Sequence, residues 1–305
     1  MTQWNSNQKQ ATPRVAVIGT GTMGTAMALR LLGAGMEVDV WSRHAASMTP
    51  LISAGATAYD TASDAVAHAD VVITMLPTAE ATIGVMVDGE ALASMRPQAV
   101  WAQMATIGIR ATEGLVAETR RMRPSVTYVD APVSGSRDPA EKGQLLILAS
   151  GPTRAAAPLG PVFDQLGRAT LWLGPAGAGS RMKLVLNTWL AFQAEGAAEA
   201  AALAERLHVP TTALFTALRD NPLASPYALG KLTRMVEHDY HTDFSLSWAL
   251  KDLDLADTEA GPGVVPVADA IAARWRHLVD AGSGGLDVSA ARQGLGPDPS
   301  TSVPS

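Results

Sequence analysis

The first half of the chain alternates short apolar runs with stretches of helical periodicity. The runs are rich in β-branched and other apolar residues, which is typical of buried strands. They are VAVIG (15–19), EVDVW (37–41), a short segment at 54–59, DVVITMLP (70–77), AVWAQMAT (99–106), VTYVDAPV (126–133), LLILAS (145–150) and ATLWLG (169–174). Nearly continuous apolar strands separated by helices predict one mostly parallel sheet that is covered on both faces.

The pattern changes after Gly174. Residues 175–207 form an almost unbroken helical pattern with apolar positions every three or four residues, and no strand is evident beyond them. Further helices are predicted around 211–219, 226–237, 245–260 and 264–281. The sequence therefore predicts an α/β domain at 13–174 and an all-α domain at 175–291, joined by one long helix. That helix is too apolar for exposure on all sides, so we expect it to pack in the core or against a second copy of the chain.

Composition narrows the possible functions of this 305-residue chain. Hydrophobic residues make up 47% and charged residues 17%, as in packed soluble proteins. A net charge of -6 argues against a nucleic-acid partner. The chain has no cysteine, which excludes thiolate chemistry and fits a cytoplasmic location. No apolar run is long enough to span a membrane, and the polar termini, 1–12 and 294–305, are expected to be flexible.

A glycine-rich loop follows the first predicted strand and opens the first predicted helix. Its sequence runs from Gly19 through Thr20, Gly21, Thr22 and Met23 to Gly24. In a dinucleotide site the first glycine permits a tight turn, the second lets the backbone approach the pyrophosphate, and the third allows close helix–strand packing. This position between strand and helix predicts a Rossmann-type, doubly wound domain that binds a nicotinamide dinucleotide.

The end of the second strand distinguishes the two nicotinamide cofactors. An NAD enzyme usually carries an acid there for the ribose hydroxyls, whereas this chain has Ser42 and Arg43. Asp39 lies earlier, inside the strand. A serine hydroxyl and a planar guanidinium suit a 2′-phosphate, so NADPH/NADP is favoured over NAD. The alternative is that Arg43 is an ordinary surface residue or stacks on the adenine.

Other strand ends carry further candidate site residues. Leu76 and Pro77 end the fourth predicted strand and Thr106 ends the fifth, at the edge where ligands bind in open parallel sheets. After the sixth strand come Ser134, Gly135 and Ser136, whose small side chains leave backbone N–H groups accessible to a substrate carboxylate. Taken alone, each of these residues is also typical of an ordinary loop.

Lys183 and Asn187 lie one turn apart on the long helix and therefore share a face. An ammonium beside nicotinamide can protonate the oxygen that gains charge as hydride reaches the carbonyl carbon, and an amide can hold the same oxygen. On these residues alone, a surface lysine is the commoner explanation.

Four motifs that occur in a fixed order favour a catalytic Lys183 over a surface lysine. They are GTGTMGTAMALRLL (19–32), DAPVSGSRDPAEKGQL (130–145), GAGSRMKLVLN (177–187) and KDLDLA (251–256). Through them the chain, from about Arg14 to Leu286, resembles the β-hydroxyacid dehydrogenase family. The sequence of the second motif and the Trp-Ser-Arg end of the second strand most resemble the glyoxylate/succinic semialdehyde reductase branch, which uses NADPH.

The resemblance implies a role for each matching residue. Lys183 would be the catalytic acid/base, Asn187 would assist in substrate binding, and Ser134 and Gly135 would hold the substrate carboxylate. Lys251 would lie beside the cofactor, with Asp252 as its partner. Leu76, Pro77 and Thr106 match positions that touch the nicotinamide half of the cofactor. Family members form dimers or tetramers, so a homodimer or homotetramer is expected.

The chain also departs from the family pattern. The common Asp-x-Ser-Thr is replaced by a sequence with Gln103 and Ala105, and Thr188 stands where a second asparagine is common. Ser136 replaces a glycine of many members. Trp248 is among the aromatic residues that would shape a bulkier substrate pocket than glyoxylate requires, although core packing is the commoner reason for such residues.

Three functions remain open at this stage. Reduction of a small carboxylate-bearing aldehyde or keto acid, or the reverse oxidation, is favoured because imine reductases of this architecture generally have another residue in place of Lys183. Reduction of a C=N bond is the second hypothesis, and a non-catalytic NADP-binding sensor or scaffold is the third. No metal is expected, because the one metal-like cluster, around His238 and His241, lies in a polar stretch typical of a surface turn.

Overall fold

The computed structural model describes residues 12–295, so nearly all of both termini predicted to be flexible lies outside the described residues. The chain divides into two compact units, and the division falls between Lys183 and Leu184. The first unit is built on a six-stranded parallel sheet in the order β3-β2-β1-β4-β5-β6. Its strands are β1 (Val15–Ile18), β2 (Val38–Trp41), β3 (Thr57–Ala58), β4 (Val71–Thr74), β5 (Val100–Gln103) and β6 (Thr127–Asp130).

Helices cover both faces of this sheet, which confirms the predicted Rossmann-type architecture. They are α1 (Thr22–Gly33), α2 (Thr49–Ser53), α3 (Ala62–Val66), α4 (Ala79–Ile83), α5 (Ala91–Ser94) and α6 (Ile109–Met122), with a π-helical segment at 84–88. The central strand shows why two layers form. Val15 and Val17 point into one buried cluster and Ala16 and Ile18 into the other, as the period of two along a strand requires.

The last predicted strands form a second sheet instead of extending the first. β7 (Val133–Ser134) pairs antiparallel with β8 (Leu145–Ala149), which pairs parallel with β9 (Gly167–Trp172). The run at 126–133 is broken by Pro132, which has no N–H group to continue a ladder. The prediction of a single sheet was therefore wrong at this point. Two helices, α7 (Arg137–Glu141) and α8 (Ala156–Leu166), complete this part of the unit.

The remaining elements are helical, as predicted. The long helix α9 (Ala178–Arg206) has 29 residues and is followed by α10 (Thr211–Leu218), α11 (Pro226–Val236), α12 (Leu246–Ala260) and α13 (Pro266–Asp280). Of the helices in residues 12–295, none combines the length and the apolar character that crossing a membrane requires.

Alanines on α9 allow close packing in the helical unit. Ala191, Ala194 and Ala198 recur at helical spacing, are buried, and pack in one cluster with Trp275 and Leu246. The helix also has a different, apolar exposed surface, where the exposed fractions are 64% for Val185 and 61% for Trp189.

A buried ion pair ties the segment after α13 to α11. The Lys231 ammonium donates to Asp287 Oδ1 at 2.8 Å, and both side chains are almost inaccessible to solvent. Asp287 also accepts N–H groups from Ser289 and Phe244. Burial alone would raise the pKa of Asp287, but the hydrogen bond and charge of Lys231 and these N–H groups outweigh it, so the pKa is lowered.

We predict that Asp287→Asn destabilises the protein by about 3 kcal/mol at pH 7, because it leaves the Lys231 ammonium buried without its counter-ion. A lowered folded-state pKa contributes stability above the unfolded value of about 3.9, and that contribution is lost as the pH falls through the folded pKa. The wild-type free energy of unfolding should therefore fall more steeply than that of the variant below about pH 4. Denaturant titrations from pH 7 to pH 3 measure both effects.

Asp243→Asn is the matched control, since Asp243 pairs with Arg234 at 2.7 Å but its side chain is 45% exposed. It should cost less than about 1 kcal/mol. Equal losses for the two variants would contradict the importance of the buried pair.

Candidate functional site

Three predicted cofactor positions follow neighbouring strands at one edge of the main sheet. In the register of the sheet, Ile18 at the end of β1 pairs with Thr74 of β4, which pairs with Gln103 of β5. The N–H of Met75 donates to Ile18 O at 2.9 Å and the N–H of Met104 donates to Thr74 O at 3.0 Å. The glycine loop, Leu76–Pro77 and Thr106 are therefore carried by adjacent strand ends, as the sequence predicted.

The first and third glycines of the loop are required by backbone contacts. Gly19 has φ +101°, and a Cβ there would lie 2.6 Å from the Met75 carbonyl oxygen. A Cβ on Gly24 would lie 1.9 Å from the Gly19 carbonyl oxygen. Helix α1 can therefore begin this close to β1 only when both positions lack a side chain.

The second glycine faces open space. A Cβ on Gly21 would meet no atom within 4 Å, and this residue caps α1 without a side-chain hydrogen bond. The first turn of α1, which starts with Thr22 and Met23, contains no acidic residue. Because residue 21 has no side chain, the free N–H groups and the positive end of the helix dipole face open space. The pyrophosphate of a dinucleotide fits such a space.

The loop is linked by a side chain to the segment that follows β2. The buried Thr20 hydroxyl lies 2.6 Å from the Ser47 hydroxyl, which also donates to His44 O at 2.7 Å. Between them in sequence, Ser42 is half-buried and Arg43 is exposed. Sequence reasoning missed the Thr20–Ser47 contact, because nothing in the spacing of two hydroxyl residues 27 positions apart indicates a bond.

Gln103 stands at the end of β5 where the family pattern has an acid, and Ala105 stands where it has a hydroxyl residue. Buried Gln103 donates through Nε2 to Ala105 O at 2.7 Å and accepts the Ala105 N–H at 2.9 Å through Oε1. These two bonds hold the turn that leads to the half-buried Thr106. The departure from the family pattern thus keeps a defined strand end while removing a hydroxyl from it.

The segment predicted to hold a carboxylate lies at β7. Gly135 has φ +132°, and a Cβ there would lie 2.8 Å from Leu145 Cδ2. Its conformation and packing require glycine even without a ligand. Ser134 and Ser136, on either side of this glycine, are half-buried.

Helix α9 carries Lys183 and Asn187 on successive turns, with Lys183 half-buried and Asn187 buried. Lys183 is the last residue of the first unit, whereas Asn187 belongs to the second.

The second unit brings four predicted or implied residues together. The amide of Asn187 donates to Asp252 Oδ2, and Lys251 Nζ lies 3.1 Å from Asp252 Oδ1. The same ammonium lies 5.6 Å from the centre of the Trp248 ring. Asp252 Oδ1 is buried and has an ionic partner but no well-oriented hydrogen bond. The arrangement fixes the Asn187 amide and concentrates polar groups beside one indole ring.

The histidine cluster considered in the sequence has other partners. Asp239 accepts the His241 N–H at 3.0 Å, and Arg234 pairs with Asp239 at 3.2 Å and with Asp243. Over residues 12–295, no group of three or more His, Asp or Glu side chains is arranged to hold a metal ion. A groove of about 1230 Å³ beside this cluster, lined by His208, His238 and Arg292 among others, includes none of the predicted site residues.

Both units match known sequence families. Residues 14–174 match the family described as the NAD binding domain of 6-phosphogluconate dehydrogenase. Residues 177–294 match the one described as NAD-binding of NADP-dependent 3-hydroxyisobutyrate dehydrogenase.

Curated relatives cover almost the whole chain. Glyoxylate/succinic semialdehyde reductase 1 of Arabidopsis thaliana is 30% identical over 90% of this chain and 96% of its own length. NAD-dependent L-serine dehydrogenase of Pseudomonas aeruginosa is 30% identical over 92% of this chain and 97% of its own.

The solved structures include 3-hydroxyisobutyrate dehydrogenase of Mycobacterium tuberculosis with L-serine. It is 28% identical, has a TM-score of 0.85, and is covered over 99% of its length by 93% of this chain. Family matches to both units, together with relatives that are 30% identical over nine-tenths of the chain, show that this protein belongs to the β-hydroxyacid dehydrogenase family of NAD(P)-dependent oxidoreductases.

Proposed function

We propose that the protein is an NADPH-dependent reductase of a small carboxylate-bearing aldehyde or keto acid, which also catalyses the reverse oxidation of the matching β-hydroxy acid. The observation that carries the proposal is the half-buried Lys183 near the start of α9, in a unit whose glycine loop fits a dinucleotide. The relative in Arabidopsis thaliana is named for two such carbonyl substrates.

Lys183 would supply the proton. A bound nicotinamide cofactor supplies the hydride that adds to the carbonyl carbon. The carbonyl oxygen then gains negative charge, and the Lys183 ammonium donates a proton to it, so that the C=O bond becomes an alcohol. In the oxidation the neutral amine of Lys183 accepts the hydroxyl proton instead. Both directions balance with one hydride and one proton.

Other residues would hold the substrate. Ser134, Gly135 and Ser136 offer hydroxyl and backbone N–H donors that suit a carboxylate. In the second unit, Asn187 is assigned to substrate binding because its amide is fixed by Asp252. Its remaining donor and acceptor capacity can serve a ligand.

Residues of the second unit would also contact the cofactor and shape the pocket. Lys251 is assigned to the cofactor, and Trp248, whose ring lies near the Lys251 ammonium, would give the substrate pocket an apolar side.

The preference for NADPH is assigned to the residues after β2. No acid stands at that strand end, and the exposed Arg43 guanidinium makes no hydrogen bond or ion pair with any other residue in 12–295. It is therefore available to a 2′-phosphate, with Ser42 as a second donor. Leu76, Pro77 and Thr106 would lie along the nicotinamide half.

We also propose association into a homodimer or homotetramer. Val185, Trp189, Leu203 and Leu207 are large apolar residues of α9 and its C-terminal end, and each is more than half exposed. Covering such a surface with a second copy would release ordered water and stabilise the assembly. The cytoplasmic location stays a prediction.

Lys183→Ala should lower kcat by roughly 10²–10⁴-fold and leave the Kd for NADPH nearly unchanged, because only proton transfer is removed. Turnover is followed by the absorbance of NADPH with a panel of aldehydes, keto acids and cyclic imines. Lys142→Ala is the control, since Lys142 is an exposed lysine that pairs with Asp138 at 3.5 Å, and it should leave turnover unchanged.

Three other outcomes would contradict the proton-donor role, carbonyl reduction or catalysis itself. Normal turnover by the Lys183 variant would refute its role as proton donor. Consumption of NADPH with imines and with no carbonyl would favour C=N reduction. Tight NADPH binding without turnover of any substrate by the wild-type enzyme would favour a cofactor sensor.

Arg43→Ala should raise the KM for NADPH roughly 10- to 100-fold, the value of a charge-assisted phosphate contact, and change the KM for NADH less than about twofold. Arg168→Ala removes the same charge from an exposed position on β9 and should affect neither cofactor. Equal losses for NADPH and NADH in the Arg43 variant would show that this residue does not read the 2′-phosphate.

A further inference from the structure

The start of α9 is held by one buried carboxylate. Asp130, at the end of β6, is fully buried. Its Oδ2 accepts the N–H groups of Gly177 at 3.1 Å and Ser180 at 2.8 Å, and its Oδ1 accepts the Ser180 hydroxyl at 2.7 Å. These donors belong to the residue just before α9 and to its first turn, where backbone N–H groups have no partner within the helix.

A second side chain supports the same turn. The Ser150 hydroxyl donates to Asp130 Oδ2 at 3.0 Å and accepts the Gly179 N–H at 2.9 Å. The Ser180 hydroxyl also lies 3.2 Å from that of Thr112 on α6. Each of these hydrogen-bond partners of the carboxylate is a donor, as an ionised carboxylate requires. Burial raises the pKa of Asp130, and the hydrogen bonds from Ser180, Ser150 and Gly177 oppose that rise.

The backbone of α9 approaches the second sheet without a gap. A Cβ on Gly179 would lie 2.1 Å from Leu148 O and 3.1 Å from Asp130 O. The first turn can therefore neither shift toward the sheet nor rotate without breaking the bonds to Asp130. Lys183 follows Ser180 by three residues, which is less than one helical turn.

We propose that Asp130 is a positioning residue for catalysis. Its hydrogen bonds to Gly177 and Ser180 fix the first turn of α9 both along and around the helix axis, and this turn thereby fixes the position of Lys183. The proposal rests on the proposed role of Lys183 as acid/base. A proton donor is effective only within hydrogen-bonding distance of its acceptor, and a misplacement of about 1 Å can cost about 100-fold in rate. Asp130 acts through Lys183 and requires no contact with the substrate.

Asp130→Ala should lower kcat roughly 10- to 100-fold while the KM for NADPH changes less than about threefold. Asp130→Asn should recover most of the rate, because the amide oxygen can replace Oδ2 and the Ser180 hydroxyl can rotate to accept from the amide. Asp39→Ala is the matched control, since Asp39 is also a buried carboxylate of the first unit and pairs with Arg14 through two hydrogen bonds. It should lower stability but not the kcat of the folded fraction.

The decisive experiment repeats these substitutions in a Lys183→Ala background. If Asp130 acts through Lys183, Asp130→Ala should change the residual kcat there less than about twofold. A full additional loss in that background would overturn the positioning role and leave the proposed function intact. A wild-type rate for Lys183→Ala alone would instead refute the proposed function.

A milder pair of variants applies if Asp130→Ala does not fold. Ser180→Ala removes one donor to Asp130 and should lower kcat about 3- to 10-fold, as the loss of one hydrogen bond to a charged group predicts. Thr119→Val removes a buried hydroxyl on α6 that donates to Leu115 O at 2.7 Å and should leave kcat unchanged. Equal kcat values for these two variants would contradict the proposal.

Discussion

The first unit depends on two places where a helix begins against strand backbone with no room for a methyl group. At one, Gly24 of α1 faces the Gly19 carbonyl oxygen; at the other, Gly179 of α9 faces Leu148. Close approach brings the helix N-terminus to the strand ends, where its free N–H groups can serve a phosphate or a carboxylate. At α1 those groups are left for a dinucleotide, whereas at α9 the chain supplies its own carboxylate from Asp130. The same geometry thus serves ligand binding in one case and internal anchoring in the other.

The sequence predicted the features that single residues or regular periods encode. Three glycines between a strand and a helix allow few conformations, so the sequence alone locates the cofactor loop. The 3.6-residue period of α9 through α13 predicted the helical unit within a few residues at each boundary. By contrast, β8 and β9 have the same apolar composition as the strands of the main sheet, and periodicity cannot tell which sheet a strand joins. That choice is made by the break at Pro132 and by long-range pairing.

Side-chain contacts between distant segments were beyond prediction for a related reason. Asp130 stood inside a recognisable motif, but its partners come from residues 150 and 177–180, and only the fold brings them together. A charged residue at the end of an otherwise apolar strand was the available signal. Gln103 illustrates the converse, since its replacement of an acid was visible but its two bonds to Ala105 were not. Buried polar groups must find partners, so each such residue signals a contact without saying where it lies.

One unbroken helix carries both Lys183 and Asn187, although the division of the chain falls between them. Residues four apart on such a helix are separated by a rise of about 6 Å, which the backbone hydrogen bonds keep constant. The helix therefore holds the backbones of Lys183 and Asn187 at a constant distance from each other. Under the roles proposed for Lys183 and Asn187, a ligand of another length could not be matched by moving the backbone of one residue relative to that of the other. A change of ligand would then have to be met by neighbouring side chains, such as Thr188 on the same helix and Trp248, whose ring centre lies 5.6 Å from the Lys251 ammonium.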